Sequence, residues 1–137
     1  MAINIRKSRF LALLIITSIG LAIILWPNLK AKHAQINYPE KTAIEDLTKF
    51  VIQPTYKKNT LRFKINMESF QNPDIHHLDL AEFALLLIQN KPINPNTWQV
   101  DNTSEYASQG TLVFEDIAQP KNFELILFDT EKSQFQW

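Results

Sequence analysis

Residues 61–68, Leu-Arg-Phe-Lys-Ile-Asn-Met-Glu, alternate apolar and polar side chains without a break. A period of two puts Leu61, Phe63, Ile65 and Met67 on one face of a pleated strand and their polar neighbours on the other. A strand with one buried and one wet face is expected, as in antiparallel sheets. Comparable runs surround it. Phe50-Val-Ile-Gln precedes Pro54, Thr111-Leu-Val-Phe-Glu follows Gly110, and Phe135-Gln-Trp reads as a closing edge strand. In residues 123–128 the second face is apolar too, which predicts a more central strand. Pro39, Pro54, Pro73, Pro92, Pro95 and Pro120 fall between or beside these runs and read as strand punctuation. The pattern predicts a mainly β, antiparallel, immunoglobulin-like sandwich, with Trp98 as a plug in its core.

Two stretches stay open. Thr42-Ala-Ile-Glu has capping-box spacing, which fits a short helix from Ala43 and fits an extended segment equally well. Residues 78–88 are rich in Leu and Ala, and Asp79 with Glu82 three positions on can cap a helix. Phe83, Leu85 and Leu87 can equally line a buried strand, and the prolines that follow favour the strand.

The other decisive feature is the uncharged run 10–26, preceded by Arg6, Lys7 and Arg9. As a helix it would cover roughly 26 Å, close to the ~27–30 Å hydrocarbon core of a bilayer. A cleaved signal peptide and a buried core helix are the competing readings. The run is longer than a typical signal core, and no small-x-small site follows it, which favours an uncleaved anchor. The expected organisation is a basic cytoplasmic N-terminus over 1–9, a transmembrane signal anchor over 10–27, a stalk over 28–41 and an extracytoplasmic, periplasmic-type domain over 42–137. Basic residues ahead of the span favour an N-terminus in the cytoplasm. Beyond residue 27 there are 11 basic and 14 acidic residues, a net of −3. No basic patch is present to neutralise phosphates, so nucleic acid is not an expected partner.

About 110 residues beyond the span suffice for one modest core. The chain has no cysteine, so packing alone must hold it, and no thiol chemistry is available. Of its two glycines, Gly20 lies in the apolar run and Gly110 outside it. Phosphate-cradling loops and nucleophile elbows depend on glycine, and neither can be built here.

The ordered series Leu61-Arg-Phe-Lys-Ile-Asn-Met, Leu78-Asp-Leu-Ala-Glu-Phe-Ala-Leu-Leu, Trp98 and Gly110-Thr-Leu-Val-Phe resembles a class of small exported or membrane-anchored bacterial and archaeal β-sandwich domains. The resemblance covers residues 50–137 and rests on apolar patterning. It implies a fold and a location, and no activity. That class often carries a histidine pair just before the glycine, where this chain has Glu105-Tyr-Ala-Ser-Gln.

His76 and His77, with Asp74 and Asp79 nearby, are the one conspicuous ligand pair for zinc or copper. Adjacent histidines diverge on a strand and can converge only in a turn, and a solvated loop is the simpler reading. The carboxylates Glu115, Asp116, Asp129 and Glu131 suit acid–base work or calcium only if a cleft gathers them. Ser104, Ser108 and Ser133 have no histidine at a recognisable offset. Asn102-Thr-Ser matches a glycosylation acceptor. Tyr56, Phe70 and Tyr106 lie in loop-like contexts and suit either a partner surface or the rim of the core.

The chain is therefore expected to be no enzyme and to need no cofactor. It reads as a single-pass, membrane-anchored interaction or accessory module of an envelope assembly, with Ser18 and Gly20 allowing close helix approach. The alternative is an extracytoplasmic metal- or small-ligand-binding domain that uses His76 and His77.

Overall fold

The computed structural model of the protein describes residues 34–128 and 133–137. The expected span over 10–27 lies outside the described residues, and among those described no helix is long and apolar enough to cross a membrane. Gln35–Trp137 forms one compact unit. It is mainly β, built from two antiparallel sheets. The strands are β1 (Ile36–Asn37), β2 (Lys41–Glu45), β3 (Thr48–Lys57), β4 (Thr60–Ser69), β5 (Ala84–Ile88), β6 (Lys91–Ile93), β7 (Thr97–Thr103), β8 (Ala107–Phe114), β9 (Glu124–Leu127) and β10 (Gln134–Gln136). The larger sheet runs β1-β3-β4-β8-β7, with β2 also paired to β3, and the smaller runs β10-β9-β5-β6.

The alternating stretch is the centre of the larger sheet. Leu61, Phe63, Ile65 and Met67 are all buried, while Arg62, Lys64 and Glu68 are exposed. They meet Leu86, Phe123, Leu125, Leu127 and Phe135 of the facing sheet in a single apolar cluster. The chain changes sheets three times. After β4 it crosses at one end through the 3-10 segments Pro73–His77 and Leu80–Glu82 into β5. It returns from β6 to β7 through residues 94–96, and after β8 it crosses at the other end through residues 115–123 into β9. Tyr38 and Tyr56 hold this last crossing by donating to the carbonyls of Pro120 (2.9 Å) and Ile117 (3.1 Å). Burial, then the charge of Tyr56, push the Tyr38 phenol above its usual pKa.

Several expectations change. Thr42 to Glu45 is extended and paired with β3, so no helix starts at Ala43. Residues 78–88 divide: Asp79 caps Leu80–Glu82 by accepting from the Ala81 N–H (2.9 Å), and the strand follows from Ala84. Pairing begins ahead of residue 42, since Ile36 and Asn37 lie opposite Tyr56 and Thr55. The last residues of the stretch expected as stalk therefore belong to the sheet. Pro54 does not end its strand. It sits opposite Tyr38, whose N–H donates to the Pro54 carbonyl. The return bond that proline cannot give is replaced by the Gln53 side-chain amide, which donates to the Tyr38 carbonyl. Trp98 is half-buried on the edge strand β7 rather than central. Its ring lies over Gly110, where an added Cβ would come within 2.5 Å of it.

Glycine scarcity leaves its mark on the turns. Asp46-Leu47, Lys58-Asn59 and Gln89-Asn90 each join two paired strands, and all six residues have φ between 45° and 65°. Positive φ at both positions marks the type I′ two-residue hairpin, which Asn-Gly usually occupies. Leu47 fits worst: its φ is 65° and its side chain is exposed. A left-handed conformation costs an L-residue roughly 1–2 kcal/mol. Leu47→Gly is therefore expected to stabilise the fold by about 1 kcal/mol, seen as a higher urea midpoint with unchanged slope.

Candidate functional site

The 3-10 segment Pro73–His77 separates the two histidines. His76 is buried, with Nε2 3.4 Å from the Ser69 carbonyl and Nδ1 3.3 Å from Ser108 Oγ. A carbonyl can only accept, so this network assigns the proton to Nε2 and leaves Nδ1 to accept from the serine hydroxyl. His76 thereby staples the crossing to β4 and β8. His77, Asp74 and Asp79 are exposed. The two rings lie in different surroundings, and among the described residues no three His, Asp or Glu side chains gather as a metal site would need.

The fold does bring a serine to a histidine, a pairing that sequence spacing does not show. Ser108 and His76 are both buried, however, and the second ring nitrogen meets a backbone carbonyl rather than a carboxylate. A nucleophile needs substrate access and a base oriented by a third group, and this arrangement offers neither. Glu115 and Asp116 are exposed on the last crossing. Asp129 and Glu131 lie outside the described residues. Ser104 is exposed and hydrogen-bonds Ala107 within the β7–β8 turn, Asn102 is exposed on β7, and Ser133 is buried.

Most of the exposed apolar side chains, in contrast, lie toward one end. Of the six large ones among the described residues, Ile44, Leu47, Phe70, Phe83 and Tyr106, 40% to 73% exposed, lie toward the end that holds the β2–β3 turn and the first crossing, and Val100 stands apart on β7. Phe70 and Tyr106 stack with centroids 5.5 Å apart, and Phe83 stacks on Phe128 at 5.8 Å. Phe128 in turn meets the core ring Phe50 at 6.2 Å. Phe128 also lines a hollow of about 180 Å³, together with Glu45, Asp46, Thr48, Phe50, Asn72 and Ile75. Glu105 hydrogen-bonds the Tyr106 hydroxyl, and this contact raises the phenol above its usual pKa. The chain enters the unit at the opposite end, where Ile36 pairs with Tyr56 beside the Lys58-Asn59 turn.

Phe70 and Tyr106 are thus surface aromatics in contact, whereas Tyr56 is buried. Ile44, Leu47 and Phe83 carry no sequence signal for exposure, since leucine is no turn residue and Phe83 falls within an apolar run. A second hollow of about 210 Å³ on the larger sheet is polar, with Asn66, Glu68, Asn102, Ser104 and Gln109 in its wall. Asn66 Oδ1 there is the one buried side-chain polar atom among the described residues without a partner.

Set against known proteins, the chain matches no family model, no curated protein and no solved structure.

Removing the two histidines should have unequal effects. His76→Ala leaves the Ser69 carbonyl and Ser108 hydroxyl unpaired in the interior and is expected to cost about 1–3 kcal/mol in urea unfolding. His77→Ala is expected to stay within about 0.5 kcal/mol of the parent. Equal costs would contradict the structural role given to His76.

Proposed function

We propose that the protein is a membrane-anchored interaction module, held by one span over residues 10–27 with its N-terminus in the cytoplasm and its β domain outside. The observation that carries the interaction reading is the concentration of exposed apolar side chains at one end of the domain, away from the end where the chain enters. Scattered surface leucines and phenylalanines need no explanation, but several at one end of a domain, two of them stacked on each other, suit a protein partner. Leu47 adds weight, because it is unfavourable there twice over, in backbone conformation and in exposure. Local choices that oppose stability are expected where function demands them.

The anchor rests on the uncharged run and the basic residues before it. The immunoglobulin-like description rests on two facing antiparallel sheets joined by crossings at both ends. An accessory, non-catalytic role follows from a site made of apolar rings and carboxylates, with the serine–histidine pair buried. Metal binding through His76 and His77 draws no support from their divergent surroundings.

Fractionation tests the anchor. The full chain is expected to stay with the membrane pellet through high salt and alkaline carbonate and to be released by detergent. Recovery in the aqueous fraction would overturn the anchored reading.

A further inference from the structure

The aromatic end has a charge signature as well as an apolar one. The segments that build it, residues 44–47, 70–83, 104–106 and 128, carry six carboxylates: Glu45, Asp46, Asp74, Asp79, Glu82 and Glu105. Those segments contain no lysine or arginine. The adjacent Lys49 is engaged by Glu68 at 3.8 Å. The opposite end is mixed, with Lys57, Lys58, Lys91 and Lys121 beside Glu115 and Asp116.

We infer that this end docks a polypeptide segment in which lysine or arginine side chains flank apolar ones. The inference rests on the interaction reading above and adds the chemistry of the partner. Charge complementarity makes the choice. An anionic lipid surface or a nucleic acid would bring its phosphates against carboxylates, and like charges brought together are penalised. A neutral apolar partner would cover the rings and desolvate carboxylates at the rim without supplying a cation to them. A basic, apolar segment fits both parts. Its apolar side chains lie against the Phe70–Tyr106 and Phe83–Phe128 stacks and enter the hollow floored by Phe50, Ile75 and Phe128. Its cationic side chains reach Asp46, Asp74 and Glu82 around them. Leu47, held on the turn beside the hollow, acts as a projecting apolar contact.

The test uses the full chain in a non-ionic detergent, with empty micelles subtracted. The probe is a fluorescein-labelled ten-residue peptide of alternating lysine and leucine, read by anisotropy, alongside a glutamate–leucine peptide and a serine–leucine peptide. The lysine–leucine peptide is expected to bind, with affinity falling as salt rises. Leu47→Gly and Phe70→Ser should each weaken it by about tenfold, and the Asp74→Lys/Glu82→Lys double variant should weaken it and flatten its salt dependence. Leu47→Gly is decisive, because it is expected to gain stability, so its loss of binding cannot come from unfolding. Binding of the lysine–leucine peptide that the variants leave unchanged, or no binding of it, would overturn the inference. Equal binding of the serine–leucine or glutamate–leucine peptide would also overturn it. The interaction reading has its own readout in a photo-cross-linking residue placed at Phe70 or at Lys58 in cells. Protein adducts at Phe70 and not at Lys58 support that reading whatever the peptides do, and adducts at neither position sink it.

Discussion

With no cysteine to cross-link the sheets, the domain depends on an aromatic junction centred on Phe63. This ring is fully buried in β4 and meets Phe114 at 5.6 Å, Phe123 at 5.9 Å and Trp137 at 5.7 Å. Phe123 and Trp137 belong to the facing side and stack on each other at 5.3 Å, while their backbones exchange two hydrogen bonds. The Trp137 indole also donates to the Pro39 carbonyl (2.6 Å), tying the start of the larger sheet to the junction. Rings of this size bury about 150–250 Å² each and add edge-to-face attraction. The closure that a disulfide often gives a small domain is met here by packing, and Tyr38 and Tyr56 fasten the crossing beside it.

The fold was legible where side-chain period carried the information. Leu61 to Met67 alternate strictly because one face of that strand meets water, and Phe50 to Ile52, Leu112 to Phe114, Leu125 to Leu127 and Phe135 stood out as apolar runs between turn residues. Strands without that contrast were hidden. β7 is exposed along most of its length, β1 and β6 are too short to show a period, and Thr42 mimics a helix cap inside β2. Pro54 reads as a break because sequence alone does not reveal that Gln53 supplies the missing donor. The turns were invisible for a related reason: Asp46-Leu47, Lys58-Asn59 and Gln89-Asn90 adopt glycine-like conformations without glycine. Of the candidate site, Phe70 and Tyr106 could be named from their loop contexts, but the stacking partner of Phe83 and the exposure of Leu47 depend on tertiary placement.

These features share a logic. Apolar surface that could have joined the core is held out at one end by the Leu47 turn and the first crossing, and carboxylates surround it. His76 ties that crossing to β4 and β8 through Ser69 and Ser108. At the other end the chain enters and the tyrosine hydrogen bonds close the core. Closure of the core and display of apolar side chains thus fall at opposite ends of the same two sheets.

Absence of cysteine makes the central claim directly measurable. Phe70→Cys and Lys7→Cys each introduce a single thiol into the full chain, one on the aromatic end and one ahead of the apolar run. A maleimide that cannot cross the cytoplasmic membrane should label the cysteine at 70 in intact cells and the one at 7 only after permeabilisation. The reverse pattern, with position 70 protected and position 7 reactive in intact cells, would contradict a domain displayed outside on an N-terminal span.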